Sequence, residues 1–250
     1  MHNRPTPVFS VITVTYNAAA VLEDTIQSVI SQTYHHVEYI IVDGASKDGT
    51  LDIVHRYRDR IARVVSEPDK GLYDAMNKGM ALATGDYLCF LNAGDSFHED
   101  DTLQQLVHSL PPHTEELPGV IYGDTDLVDG EGHFVRRRRL SPPDVLTWHS
   151  FRQGMLVCHQ AFFARRDLAE PYNLDYRFSA DFDWCIRVMK KAHTLHNAHL
   201  VVIDYLDEGL TTANRRASLL ERFRIMAKHY GLLSTVAHHA WFVLRLALKR

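Results

Sequence analysis

Four short polar stretches carry most of the chemistry this sequence could perform. Thr15-Tyr16-Asn17, Asp43-Gly44-Ala45-Ser46-Lys47-Asp48-Gly49-Thr50, Glu67-Pro68-Asp69-Lys70-Gly71 and Asn92-Ala93-Gly94-Asp95 each follow a short apolar run. Their residue types suit a nucleotide diphosphate. Tyr16 can lie against a base, and Asp43 can accept hydrogen bonds from a base or ribose. Asp95 can hold a hard cation such as Mg2+ or Mn2+, which prefers oxygen ligands and bridges phosphates. Such a cation would offset charge building on a leaving diphosphate. Each stretch also has an ordinary structural reading. Asp-Gly and Asn-Ala-Gly-Asp are common turn sequences, and Asp48-Gly49-Thr50 could simply turn and cap the next helix. The agreement of four loops, more than any one of them, points to a site.

The elements around these loops would bring them together. Phe9–Thr15 (FSVITVT) reads as a short buried strand, and Val37–Val42 (VEYIIV), Arg63–Ser66 and Tyr87–Leu91 (YLCFL) as further strands. Between them, Val21 to Ile30, Leu51 to Ile61 and Leu72 to Ala83 carry helical apolar spacing. Alternation at this spacing predicts βαβ units, a mostly parallel central sheet and helices on both faces. In such a sheet ligands bind beyond the carboxyl ends of the strands, where the four loops fall. The second half is less regular. Gly119–Gly123, His133–Arg139 and Ala198–Ile203 read as strands, Phe182 to Met189 as a helix, and the tail from Arg215 as helical. Pro111, Pro112 and Pro118 mark a soft boundary near 111–118.

Composition narrows the class. With 250 residues and 46% hydrophobic content, one large core or two fused halves fit better than independent domains. A net charge of −4 gives no basic field to recommend nucleic acid as a partner. Cys89, Cys158 and Cys185 are far apart, which fits a reducing compartment and argues against disulfides or a zinc knuckle. The sixteen histidines are scattered without a metal-ligating motif. No signal peptide and no run of roughly 18 apolar residues is read, so a cytoplasmic location is expected.

The stretches Ser10–Asn17 (SVITVTYN), Val42–Thr50 (VDGASKDGT), Ser66–Gly79 (SEPDKGLYDAMNKG) and Phe90–Asp95 (FLNAGD), in this order, resemble the family 2 inverting glycosyltransferases of the GT-A fold. The branch that builds bacterial exopolysaccharides such as colanic acid is closest in look. The resemblance covers about residues 8–110 strongly and 119–212 loosely. It implies a nucleotide-sugar-binding half over 1–112, an acceptor-binding half over 113–212, and a helical tail over 213–250. The function implied is transfer of a sugar from a nucleoside-diphosphate donor, UDP-sugars being favoured, to a glycan or lipid-linked acceptor in polysaccharide biosynthesis. Thr15, Tyr16 and Asp43 then look like the nucleoside pocket, with Asp69 and Lys70 near base or ribose. Asn17, Ser46, Asp74, Asn77 and Asn92 complete the expected donor contacts. Asp95 matches the last carboxylate of the family's metal-binding D-x-D, but Asn92 and Gly94 stand where other members carry Asp. A modest affinity for Mn2+ or Mg2+ is therefore expected.

An inverting transfer also needs a group to remove the proton of the acceptor hydroxyl. Ser179-Ala180-Asp181-Phe182-Asp183-Trp184 lies at the start of a helix, and Asp181 corresponds to the base of the family's Glu-Asp motif, with Ala180 in place of Glu. Asp183 is the alternative, and either could instead stabilise a helix N-terminus. His159-Gln160 looks like a family feature on the acceptor side; a buried structural histidine explains it as well. On the third helix Asp74, Asn77 and Lys78 share a face opposite Leu72, Ala75 and Met76.

Two features remain. Arg136–Arg139 reads as a solvated edge that discourages strand pairing, or as a receptor for pyrophosphate or an acidic acceptor. In the tail, Val236, Ala240, Val243, Leu244, Ala247 and Leu248 form an apolar face with Trp241 alongside and His238, His239, Arg245 and Lys249 opposite. Peripheral contact with the inner membrane is favoured over packing or a homodimer through this helix. A sugar-1-phosphate nucleotidyltransferase is the runner-up, but it needs a Gly-rich loop where Asn17-Ala18-Ala19-Ala20 stands. A non-catalytic donor-binding or membrane-associated scaffold is the third reading.

Overall fold

The computed structural model describes residues 6–112, 116–207 and 215–248. In the first half the elements follow the expected alternation: β1 (Phe9–Thr15), α1 (Leu22–Ile30), β2 (Val37–Asp43), α2 (Thr50–Arg56), β3 (Arg63–Ser66), α3 (Leu72–Leu82) and β4 (Tyr87–Phe90). All seven residues of β1 are buried, so both faces of the sheet are covered there. This is why the strand is a continuous apolar run rather than an alternating one. Helix α3 packs closely on the sheet at Gly79, where a Cβ would stand 2.4 Å from Ile12 Cγ2. The helix expected over Leu51–Ile61 is shorter; after Arg56 the chain tightens into a 3₁₀ turn at Arg58–Arg60.

Beyond β4 come β5 (Ser96–Phe97), α4 (Thr102–Ser109), β6 (Val120–Val128), β7 (Phe134–Arg137), β8 (Phe162–Arg165), α5 (Ala180–Lys191) and β9 (Leu195–Leu206). The α/β, GT-A-type architecture is as expected, with one refinement of the sheet. Its order is β3-β2-β1-β4-β8-β6-β9-β5, with β7 on β6. Strands β1 to β4 are mutually parallel, as are β6 and β9, whereas β8 joins β4 and β6 antiparallel. One sheet thus runs through both halves. Rings from both meet in its core: Phe9 packs on Tyr34, Tyr87 and Phe163.

Two helices close the described chain, α6 (Arg215–Tyr230) and α7 (Leu232–Leu248), with Gly231 between them at φ +84°. α6 packs on α5 and on the 3₁₀ turn Trp148–Gln153, and α7 packs on α6. Thr235, His239 and Phe242 provide the inward face of α7, His239 edge-on to Phe223. Leu233, Val236, Trp241 and Leu244 are exposed. Lys249 and the side chains of Val243, Arg245, Ala247 and Leu248 lie outside the described residues. No helix among the described residues is long and apolar enough to cross a membrane.

Candidate active site

The carboxyl ends of the first strands are flush. Thr15 pairs with Asp43 in the β1–β2 register, and Asp43 pairs with Ser66 in the β2–β3 register. Asp43 is fully buried and its carboxylate is enclosed by neighbours: it accepts from the Ser46 backbone N–H at 3.0 Å, from Ser66 Oγ at 2.7 Å and from Ser46 Oγ. Ser46 Oγ also accepts from the Asn17 N–H at 2.8 Å, and Asn17 Oδ1 accepts from the Lys47 N–H at 2.9 Å. Asp43, Ser46 and Asn17 therefore hold the first two loops together, Asn17 and Ala45 adopting positive φ to do so. Asp48 accepts from the Thr50 and Ala19 N–H groups, the turn-and-cap role open to it from the start.

These loops edge a cleft of about 730 Å³. On one wall stand Thr15, Tyr16 and Asp69. Tyr16 is 63% exposed, its ring free to receive a planar partner. Gly44 makes this corner possible, because a Cβ there would lie 2.5 Å from Asp69 Oδ2 and 3.2 Å from Tyr16 Cδ2. Asp69 caps the turn into α3 by accepting from the Gly71 N–H at 2.8 Å. Lys70, Asp74 and Asn77 stand outside the cleft lining. Asp74 accepts from the Lys70 N–H, while Asn77 clamps Tyr172 by donating to its carbonyl and accepting from its N–H. Lys78 is engaged with Glu67 and the Pro68 carbonyl. The apolar stripe of α3 also differs from expectation: Leu72 is exposed at the cleft, and Tyr73 turns inward with Ala75 and Met76.

Asn92 and Asp95 form the floor. Asp95 is buried, accepting from Gln160 Nε2 at 2.9 Å and from the Leu206 N–H at 3.2 Å. Burial pushes its carboxyl up to about 7 despite these two donors. Asn92 Oδ1 and Thr15 Oγ1 are buried cleft atoms without a hydrogen-bond partner among the described residues. Unsatisfied buried oxygens are costly and call for a ligand. Gly94 has φ +98°, a conformation that favours glycine, and a Cβ there would stand 2.9 Å from Leu206 Cδ2.

The opposite wall comes from the second half. Asp181, in the first turn of α5, faces the cleft and accepts from Tyr73 Oη at 2.9 Å. This hydrogen bond crosses from α3 to α5 and leaves one carboxylate oxygen without a protein donor among the described residues. Asp183 points elsewhere. It is fully buried, meeting Arg187 Nε at 2.7 Å, His229 Nε2 at 2.8 Å and Lys228 Nζ at 3.6 Å. Burial raises its carboxyl, but the bonds from His229 and Arg187 prevail and hold it down at about 2. His159 lines the cleft yet is engaged by Tyr172 Oη at 2.7 Å and stacked on Phe90; burial lowers its basicity. Gln160 acts on Asp95 rather than reaching for a distant group.

Sequence reasoning did not single out Tyr73, Tyr205 or Arg222, which line the cleft together with Arg138 of the arginine run. The run, open to reading as a solvated edge or as an anion receptor, divides: Arg138 is its member in the cleft lining. Of its neighbours, Arg136 pairs with Asp207 at 2.9 Å on the exposed β7 edge. Arg222 lies in a helical tail whose contacts depend on long-range packing.

The geometry agrees with comparisons to known proteins. The model of glycosyl transferase family 2 matches residues 10–172. The PGL/p-HBAD biosynthesis glycosyltransferase of Mycobacterium tuberculosis is 37% identical over 214 residues, spanning 81% of this chain and 78% of the relative. The putative teichuronic acid biosynthesis glycosyltransferase TuaG of Bacillus subtilis is 43% identical over 202 residues, spanning 80% and 79%. Among solved structures, S. aureus TarS shares the fold with a TM-score of 0.70 at 17% identity, over 94% of this chain and 72% of that one. TarS in complex with UDP-GlcNAc gives 0.68 at 20% identity, over 88% and 64%. The mannosyltransferase PcManGT from Pyrobaculum calidifontis, in complex with GDP-Man and Mn2+, gives 0.63 at 18%, over 95% and 75%. The runner-up and scaffold readings give way, and the chain belongs to glycosyl transferase family 2.

Proposed function

We propose that this glycosyltransferase transfers a sugar from a nucleoside-diphosphate donor to an acceptor hydroxyl by direct displacement with inversion, in the assembly of a bacterial polysaccharide or glycolipid. The observation that carries this reading is the single cleft that joins Tyr16 and Asp69, Asn92 and Asp95, and Asp181. The nucleoside lies against Tyr16 and Asp69, and a UDP-sugar is the favoured donor. Asp43 shapes that corner from behind. Asp181, on the facing wall, removes the acceptor proton as the oxygen attacks the anomeric carbon. Asp183 is spent on Arg187, Lys228 and His229, which favours Asp181 as base.

The residues at the floor fit a divalent cation: the Asp95 carboxylate and the unpartnered Asn92 Oδ1 are hard oxygen ligands beside the donor wall. With so few protein ligands, the donor phosphates would supply the rest. Bound there, Mn2+ or Mg2+ would stabilise the negative charge of the departing diphosphate. The exposed apolar side of α7, with Leu233, Val236, Trp241 and Leu244, supports peripheral contact with the cell membrane, where a lipid-linked acceptor would be held.

The test is a thermal-shift panel of UDP, GDP and dTDP with Mn2+ or with EDTA. A ligand that binds only the folded state raises its stability. One nucleotide should raise Tm, and more so with Mn2+. Absence of a shift with all three would sink the donor-site reading.

A further inference from the structure

The cleft lining includes two guanidinium groups, Arg138 and Arg222, and no lysine. Three carboxylates, Asp69, Asp95 and Asp181, line the same space, yet no ion pair among the described residues joins either arginine to any of them. Arg138 is held by neutral acceptors. Its Nη1 donates to the carbonyls of Leu140 at 2.9 Å and Leu156 at 3.1 Å, and its Nη2 to Met155 at 2.7 Å. Arg222, on α6, is half-buried and makes no hydrogen bond among the described residues. Its Nε is buried without a partner, and the group lies 5.9 Å from the Phe182 ring centroid. A cation withdrawn from water with unused donors is costly unless an anion meets it. The planar fork matches carboxylate and phosphate oxygens.

Its contacts place it on the Asp181 side of the cleft. Phe182 directly follows Asp181 in α5. The Arg222 charge acts on the Tyr73 hydroxyl, the group that donates to Asp181. Among the described residues Asp95, by contrast, is bonded by Gln160 and Leu206. We propose that Arg222 receives an oxyanion of the acceptor, a phosphate or a carboxylate near the accepting hydroxyl, and thereby orients that hydroxyl toward Asp181. The inference rests on the reading of Asp181 as the base. It adds that the acceptor is anionic close to its reactive oxygen, so the enzyme acts after a reaction that has installed a phosphoryl or uronic acid group there.

The test titrates inorganic phosphate and, separately, D-glucuronate into the full chain at constant ionic strength, loaded with whichever nucleoside diphosphate binds. At least one probe should bind saturably, and which one does identifies the oxyanion. Arg222→Gln should weaken it at least tenfold while nucleotide affinity stays within about twofold. Arg222→Lys, which keeps the charge and loses the fork, should fall between and replaces Arg222→Gln if that variant does not fold. The proposal is overturned if neither probe binds, if Arg222→Gln leaves probe affinity unchanged, or if it weakens the nucleotide by the same factor. That last result would assign Arg222 to the donor diphosphate. If no nucleotide binds the wild type, the donor-site reading fails instead, and the same titrations without nucleotide still decide the role of Arg222.

Discussion

The two walls of the cleft are built in opposite ways. The proposed donor wall comes from loops at the ends of neighbouring parallel strands, tied to one another by hydrogen bonds such as Asn17 to Ser46 and Asp43 to Ser46 and Ser66. The facing wall gathers Gln160, Asp181 and Arg222 from elements far apart in the chain. On the donor wall the buried carboxylate is consumed in shaping the loop. On the other wall two aspartates two residues apart divide the work: Asp183 fastens α5 to α6, and Asp181 is left facing the cleft. A carboxylate available for chemistry is thus recognised by the absence of cationic partners, not by its position in a motif.

The sharpest way to break this division is Asp181→Asn. Loss of a general base lowers turnover by about 10² to 10⁴-fold. Steady-state donor turnover should fall in that range while nucleotide binding is kept; near-normal turnover would move the base elsewhere. Next is the floor. An unfolded Asp95 ionises near 3.8, whereas the buried group holds its proton up to about 7. Between those values the folded state binds a proton that the unfolded state has lost, so stability must decline as pH rises from about 4 to 7 and then level off. About three pKa units correspond to a decline on the order of 4 kcal/mol. Thermal unfolding in EDTA across this range should show it, and Mn2+, binding the ionised form, should offset it more strongly as pH rises.

Asp183→Asn should cost about 3 kcal/mol of stability, since it breaks the ion pairs of a fully buried carboxylate. Chemical denaturation should register this with little change in the turnover of the folded fraction. The native Asp183 contribution is present above the unfolded carboxyl value and is lost as pH falls toward 2. Smallest is Gly44→Ala, whose Cβ would press on Asp69 and Tyr16. Nucleotide affinity should weaken by about tenfold, or roughly 1.4 kcal/mol, with the base wall unaffected.

The same contrast explains what could be read from the sequence. Strands β1, β2 and β4 were legible because buried parallel strands are continuous apolar runs, and the loops of β1 to β4 because the strand ends fall on one edge. The second half yielded less. β8 was missed because Phe162–Arg165 ends in cations, and β5 because two residues carry no period. Helix α4, Thr102–Ser109, has an amphipathic pattern that was passed over. Asp181 could be named through family resemblance, but its separation from Asp183 could not, since that depends on His229 and Lys228 arriving from α6. The arginine run offered an anion-receiving role, but the sequence could not separate Arg138, which lines the cleft, from its exposed neighbours.

The measurement that tests the account most directly is the anomeric configuration of the product. In direct displacement the acceptor oxygen, deprotonated by Asp181, attacks from the face opposite the leaving diphosphate. With an α-linked nucleotide sugar and water as acceptor, early proton NMR spectra, taken before mutarotation, should show the β sugar forming first. First appearance of the α sugar would mean retention and would contradict a single displacement between these two walls.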